Sequence, residues 1–310
     1  MRILLIVNAS ASSVTARSRV VIQKALASDH DLAVAETSRR GHAIRLAQGA
    51  ASDGVAAVVV LGGDGTLNEA ANGLVGSATA LGVLPGGSTN VYARTIGMVN
   101  DPIEATAQLL SALGRDSIRR VSLGEVNGRY FLFHVGIGYD AAVVARVERR
   151  SEVKRYAGHA LFLWAAFITW LRHYDRRAPA FSARADGGPA RDGYFGICLK
   201  TNPYTFLGDR PLDVAPGTGF DTGLALVNFE SLDAGRLLPL VARAVLNGHG
   251  LAGRGGVSVT TNIDTVVIEG HRPVPYQADG DYLGETTHLT LRCRPEALAL
   301  IVPDASDDHR

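Results

Sequence analysis

The sequence predicts an α/β N-terminal domain with a parallel sheet, followed by a mostly antiparallel, β-sandwich-like C-terminal domain. Three observations predict it. Short apolar runs alternate with helical patterns through the first third of the chain. Strand after strand follows from about residue 118. Glycine-rich stretches stand where strands of the first part end, at residues 62–65 and 86–87. Strand–helix alternation points to a three-layer parallel domain, and a run of strands to a separate β-rich one. A chain of 310 residues is long enough for both.

Taken in order, Ile3–Val7 reads as a short buried strand. Val14–Ala27 reads as a helix, with Val14, Val21, Ala25 and Leu26 on one face. Asp31–Glu36 is a second strand and Gly41–Ala51 a second helix. Ala56–Leu61 is nearly pure Val, the pattern of a strand covered on both faces. Leu67–Leu74 is helical and Ala80–Leu84 a strand. Asn90–Ile96 and Pro102–Leu113 are helices, the latter with Asp101 as N-cap and Pro102 in the first turn.

Beyond residue 118, Ser122–Val126 and Arg129–Val135 flank Asn127-Gly128, a dipeptide that favours a type I′ hairpin. Strands are expected at Gly193–Thr201, Leu224–Phe229, Val257–Thr261, Thr265–Glu269, His288–Cys293 and Ala297–Val302. Helices are expected at Ser151–His173 and Leu232–Leu246. Ala178–Arg191 is expected to be an exposed loop, and the tail from Asp304 to fray. The domains divide as residues 1–120 and 121–293.

Composition excludes several classes. A formal charge of +1 supplies no global field for nucleic acid, so no nucleic-acid partner is expected. Cys198 and Cys293 form no CxxC pair, which argues against a zinc or redox motif and suits a reducing cytoplasm. The apolar run after Met1-Arg2 is shorter than the ~7–15 residues of a signal core. Ala160–Leu171 is short of the ~20 residues needed to span a bilayer, so no transmembrane helix is expected.

The chemistry is expected at Leu61-Gly62-Gly63-Asp64-Gly65-Thr66, between a buried strand and a helix. Ligands of open α/β sheets bind beyond the carboxyl ends of the strands. Glycines let backbone amides approach phosphate oxygens, and the next helix turns its N-terminus to the same point. Asp64 makes sense in a phosphate loop when Mg²⁺ bridges carboxylate and phosphate. Thr66 can donate its hydroxyl to phosphate and cap the helix. A bland reading is a glycine-rich turn with Asp64 as a turn residue. A second loop, Pro85-Gly86-Gly87-Ser88-Thr89-Asn90, and a third strand end at Asn8 favour a nucleotide site.

These residues resemble a known family. Gly62-Gly63-Asp64-Gly65-Thr66-Leu67-Asn68-Glu69-Ala70 resembles the hallmark of the diacylglycerol kinase catalytic domain family, which includes soluble bacterial lipid kinases and sphingosine kinases. Pro85–Asn90 resembles its second motif, and Gly136-Ile137-Gly138-Tyr139-Asp140-Ala141 its Gly-x-Gly-Phe-Asp-Ala segment. Asp221-Thr222-Gly223-Leu224 resembles its Asp-Asp-Gly-Leu turn, and Asp279-Gly280-Asp281 its Asp-Gly-Glu motif. The matches keep family order across nearly the whole chain.

The resemblance implies the NAD kinase/diacylglycerol kinase-like fold, with about 294–310 returning to the first domain and ATP between the domains. It implies an ATP-dependent lipid kinase, most simply converting diacylglycerol to phosphatidic acid. Asn8, Gly62, Gly63, Asp64, Gly65, Thr66, Gly87, Ser88, Thr89 and Asn90 would line the nucleotide site. Asp64 would bind catalytic Mg²⁺; Asp221 and nearby carbonyls, Leu224 included, would hold a second, structural one. Three positions depart from the family: Val91 replaces an Asp, Thr222 replaces the second Asp of the turn, and Asp281 replaces Glu.

Transfer to an alcohol needs a group to take the hydroxyl proton. Asp281 is the candidate, with Glu285 in reserve; the plain alternative makes Asp279–Asp281 a β-turn. The apolar stretch Leu161–Leu171 is flanked by Arg146, Arg149, Arg150, Lys154 and Arg155 before it, and by Arg172, Arg176 and Arg177 after it. It reads either as a core helix or as one leaning on an anionic surface, which would place the protein in the cytoplasm, peripheral to the inner membrane. His134 reads as a core packing residue and His159 as a helix-surface residue, and neither is given a role in the chemistry. Edge strands allow a homodimer but nothing requires one. NAD kinase, and a non-catalytic lipid or nucleotide sensor on the same scaffold, are the competing readings.

Overall fold

The computed structural model describes residues 1–138, 141, 178–233 and 256–303. The chain divides into two compact units, Met1–Leu123 with Pro295–Arg310, and Gly124–Arg294.

The first unit alternates β1 (Arg2–Val7), α1 (Ala16–Ala27), β2 (Asp31–Glu36), α2 (His42–Ser52), β3 (Ala57–Gly62), α3 (Asp64–Leu74), β4 (Ala80–Pro85), α4 (Val91–Thr95) and α5 (Pro102–Gly114). The strands lie in the order β4-β3-β1-β2 and run parallel. Every residue of β3 and β4 is buried, whereas the edge strand β2 is mostly exposed. The Val run was therefore a sound sign of a strand covered on both faces.

Local chemistry sets the helix starts. In α1, Thr15 and Ser18 form a reciprocal capping box. In α5, the Asp101 carboxylate accepts from the amides of Ile103 and Glu104, with Pro102 in the first turn. The buried face of α1 is Ser18, Ile22 and Leu26; Val21 is exposed. The expected face was rotated because Ser18, polar by composition, is buried as part of the cap.

β5 (Ile118–Val126) carries the chain to the second unit, which is antiparallel throughout. Its other strands are β6 (Arg129–Phe131), β7 (His134–Ile137), β8 (Phe181–Ala185), β9 (Arg191–Gly193), β10 (Phe195–Leu199), β11 (Thr205–Leu207), β12 (Arg210–Leu212), β13 (Leu224–Phe229), β14 (Val257–Ile263), β15 (Thr265–Ala278) and β16 (Asp281–Ile301). The spine runs β14-β13-β10-β7-β15-β16. Asn127 and Gly128 both take positive φ, as the type I′ hairpin requires.

Two cores occupy opposite faces of this sheet. Leu224, Leu226 and Cys198 point to one; Ala225, Val227, Phe229, Ile197 and Leu199 point to the other. That is the period-2 signature of a strand buried on both sides. The segment expected to be an exposed loop instead carries β8, whose Phe181 is fully buried. Asp186, Gly187, Gly188 and Pro189 form the short turn between β8 and β9, while Arg184 lies in β8 and Arg191 opens β9. Thr265–Glu269 extends to Ala278. The two strands expected at 288–293 and 297–302 are one continuous β16, whose residues 295–301 pair in parallel with β4 through Leu300 and Leu81. Of the stretches expected to be helical, 151–173 and 232–246, the first and residues 234–246 lie outside the described residues, as does the tail from 304, and Leu232 and Asp233 are irregular. Among the described residues no helix is long and apolar enough to cross a membrane.

Candidate functional site

Parallel register brings four strand ends to one edge of the first unit. Val7 aligns with Glu36 and with Leu61, and Gly62 aligns with Pro85. The loops starting at Asn8, Thr37, Gly63 and Gly86 therefore emerge side by side, at the edge where open α/β sheets bind ligands.

Helix α3 ties these loops together. Asn8 Nδ2 donates to Thr66 Oγ1 at 2.9 Å. The Asp64 carboxylate accepts from the amides of Val91 at 3.0 Å and Tyr92 at 3.1 Å. The Glu69 carboxylate accepts from the amides of Gly41 at 2.7 Å and Ala43 at 3.1 Å. Helices α2 and α4 both begin at a left-handed residue, Gly41 and Asn90, with no side-chain cap of their own. Two carboxylates of α3 thus cap two neighbouring helices, each placing negative charge at a positive helix end.

The glycine loops meet each other directly. A Cβ on Gly86 would lie 2.8 Å from Gly62 Cα, and one on Gly87 would lie 2.9 Å from Gly63 Cα. Gly86 N–H donates to Gly62 O at 2.9 Å. Ser13 Oγ donates to Gly87 O at 3.0 Å. Asn90 closes its own loop, accepting from Gly87 N–H at 2.7 Å and donating to Asn100 Oδ1 at 2.8 Å. These contacts make Gly86 and Gly87 necessary for loop packing, a reason the sequence did not disclose. Gly65 is different: a Cβ there meets nothing within 4 Å. The amides of the first turn of α3 have no helical partner, so this open face suits an anion.

A cavity of about 190 Å³ lies along this edge, lined by Asn8, Ser10, Thr37, Ser38, Arg39, Arg40, Thr66 and Glu69. Thr37, Ser38, Arg39 and Arg40 were missed by motif reading. A basic pair directly after the second strand was the available signal. Thr66 is in the third position of α3 rather than at its cap, which is Gly63. Its hydroxyl accepts from Asn8 and keeps a proton to donate. Ser88 is exposed and Thr89 half-buried on the neighbouring loop. Val91 packs in the core and contributes its amide, which any residue supplies.

Desolvation pushes the Asp64 carboxyl above its usual range, opposed by the hydrogen bonds from Tyr92 and Val91. Among the described residues no cluster of three or more His, Cys, Asp or Glu forms a metal cage. A lone carboxylate still fits Mg²⁺ delivered with phosphates, because such ions take one or two carboxylates and keep phosphate and water oxygens.

The second unit holds the remaining expected residues. Ala278 pairs with Asp281, and Asp279 and Gly280 both take positive φ, so the segment is a two-residue hairpin turn. The buried Asp279 carboxylate accepts from the amides of Leu132 at 2.6 Å, Phe133 at 3.0 Å and His134 at 3.0 Å. Asp279 is an anchor for the break between β6 and β7. Asp281 pairs with Arg129 at 2.8 Å. Glu285 is exposed on β16. His134 is buried, its ring centroid 4.5 Å from that of Tyr204. Asp221 is exposed just before β13, and Leu224 opens that strand opposite Ile263. Tyr139, Asp140, His159 and the basic flanks of 161–171 lie outside the described residues.

Comparison with known proteins bears on this edge. Residues 2–126 match the diacylglycerol kinase catalytic domain. The match covers most of the first of the two units and stops short of most of the second. A protein of Chromohalobacter salexigens named "Probable lipid kinase YegS-like" is 38% identical over 37% of the chain and 37% of its own length. A Pseudomonas fluorescens protein of the same name is 29% identical over 93% of the chain and 91% of its own length. A Bacillus subtilis diacylglycerol kinase is 33% identical over 38% of the chain and 39% of its own length. The chain thus spans well under half of the first and third relatives. In fold, it resembles a solved diacylglycerol kinase from Bacillus anthracis, with a TM-score of 0.71 at 21% identity, covering 98% of this chain and 97% of that one.

Proposed function

We propose that the chain is an ATP-dependent lipid kinase, with diacylglycerol as the first acceptor to test. One observation carries the reading. The residues matched by the catalytic-domain family form a stitched strand-end edge, with an open face at Gly65 and a cavity bordered by Arg39 and Arg40. Arginine forks and free amides are the groups that hold phosphate oxygens. The names of the relatives support a lipid acceptor.

In the proposed reaction a lipid hydroxyl oxygen bonds to the γ-phosphorus of ATP. The bond from that phosphorus to the β–γ bridging oxygen breaks, and ADP leaves with the electron pair. The Asp281 carboxylate takes the hydroxyl proton. Asn8, Thr66, Ser88 and Thr89 hydrogen-bond the nucleotide, and the first-turn amides of α3 hold phosphate. Asp64 would hold Mg²⁺, which neutralises phosphate charge when bound.

A radiolabelled-ATP assay tests this across diacylglycerol, sphingoid base, phosphatidylglycerol and NAD. Label is expected in a lipid; label in NAD alone, or in none, refutes the reading. Asp281→Asn is expected to bind ATP as before and to lose turnover by about 10²-fold or more. Wild-type turnover would remove Asp281 from the mechanism. The sequence of 161–171 and its basic flanks supports contact with an anionic membrane surface. Equal sedimentation with neutral and anionic liposomes would sink that contact.

A further inference from the structure

The turn before β13 is where the family resemblance implies a structural divalent cation. Its donors do not suit one. Thr222 stands in place of the family's second Asp. Its hydroxyl accepts from Gly219 N–H at 2.9 Å and reaches Gly219 O at 3.1 Å, so it closes the turn on itself. A divalent ion of this class takes six or more oxygens with carboxylates among them, and here the one acidic side chain of the turn is the exposed Asp221.

A different cation is already present. Lys200 follows β10 and is fully buried. Its Nζ donates to Gly219 O at 2.6 Å and to Thr222 O at 2.8 Å. A buried ammonium persists only where acceptors replace its water, and backbone carbonyls with converging dipoles are such acceptors. We propose that the Lys200 ammonium is a built-in cation that holds the 219–223 turn in place of a divalent metal.

The surroundings agree. Gly223 N–H donates to Asn262 Oδ1 at 3.0 Å, fixing the turn against the end of β14. Cys293 Sγ lies 3.9 Å from Thr222 O, on the same carbonyl that Lys200 uses. Desolvation lowers the Lys200 ammonium from its usual range, and Cys293 and Asp221 oppose that shift. A second cation on the same two carbonyls would sit against the ammonium and be repelled by it. The exchange of Asp for Thr at 222 and the burial of Lys200 are then two parts of one change. The metal's charge and the acid that balanced it leave together, and a covalently attached charge remains.

The test is thermal unfolding of the full nucleotide-free chain in EDTA, in MgCl₂ and in CaCl₂. Wild type is expected to melt at the same temperature in all three. Lys200→Met is expected to melt about 5 °C lower, with no recovery in either cation, because two carbonyls of the turn lose their charged donor. If Lys200→Met does not fold, the wild-type series decides alone. A divalent-dependent rise in the wild-type Tm that Asp221→Asn abolishes would overturn the proposal. So would a Lys200→Met protein as stable as wild type.

Discussion

Asp64 and Glu69 leave one helix and cap two others, so each carries a structural duty that a motif does not announce. Asp64→Ala removes the acceptor for two amides at the start of α4. It is expected to cost about 1–2 kcal/mol, read as a lower urea midpoint. Asp64→Asn keeps one acceptor oxygen and is expected to retain most of that stability while losing phosphoryl transfer. Transfer surviving in Asp64→Asn would leave Asp64 as a cap alone. Glu69→Ala is expected to cost about 1 kcal/mol and to weaken nucleotide binding, since Glu69 also lines the cavity. Unchanged nucleotide affinity in a folded Glu69→Ala protein would separate the cap from the cavity. The motif residues were legible because glycine, acid and hydroxyl at a strand end have few other uses. The partners of the carboxylates were not, because backbone amides leave no mark in a sequence.

At the scale of elements, α2 and α3 pack so closely that a Cβ on Gly73 would lie 2.5 Å from Ile44 O. Gly73→Ala must push the helices apart and is expected to destabilise by about 1–3 kcal/mol. Gly49→Ala is a built-in comparison, since a Cβ there meets nothing within 4 Å. It is expected to stabilise by up to about 1 kcal/mol through helix propensity. Paired denaturant titrations that failed to separate the two variants would contradict the close packing. The alternating elements of the first unit were readable because each strand and helix buries its own pattern locally. The length of β15 and β16 was not readable. Pro275, Gly284 and Pro295 look like strand ends, and β-bulges and long-range pairing carry the strands past them. The face of α1 was misread for a related reason: a buried Ser satisfied by its own cap counts as polar in any periodicity.

At the scale of the molecule, residues 295–301 of β16 complete the sheet beside β4, and Leu298 and Leu300 are fully buried there. A fragment ending at residue 123 leaves β4 as an open edge and uncovers apolar surface, so it is expected to aggregate. Joining residues 295–303 to it through a flexible linker is expected to give a soluble, folded unit, checked by size-exclusion chromatography and circular dichroism. A well-behaved short fragment would show that the returning strand is dispensable. During synthesis the same strand sets a timetable. At ~5–20 residues per second, the ribosome needs roughly ten seconds or more to make the intervening unit before the missing strand emerges. Throughout that interval the proposed nucleotide-binding edge is laid out but its sheet is unfinished, and chaperones have their longest opportunity to bind the open flank of β4.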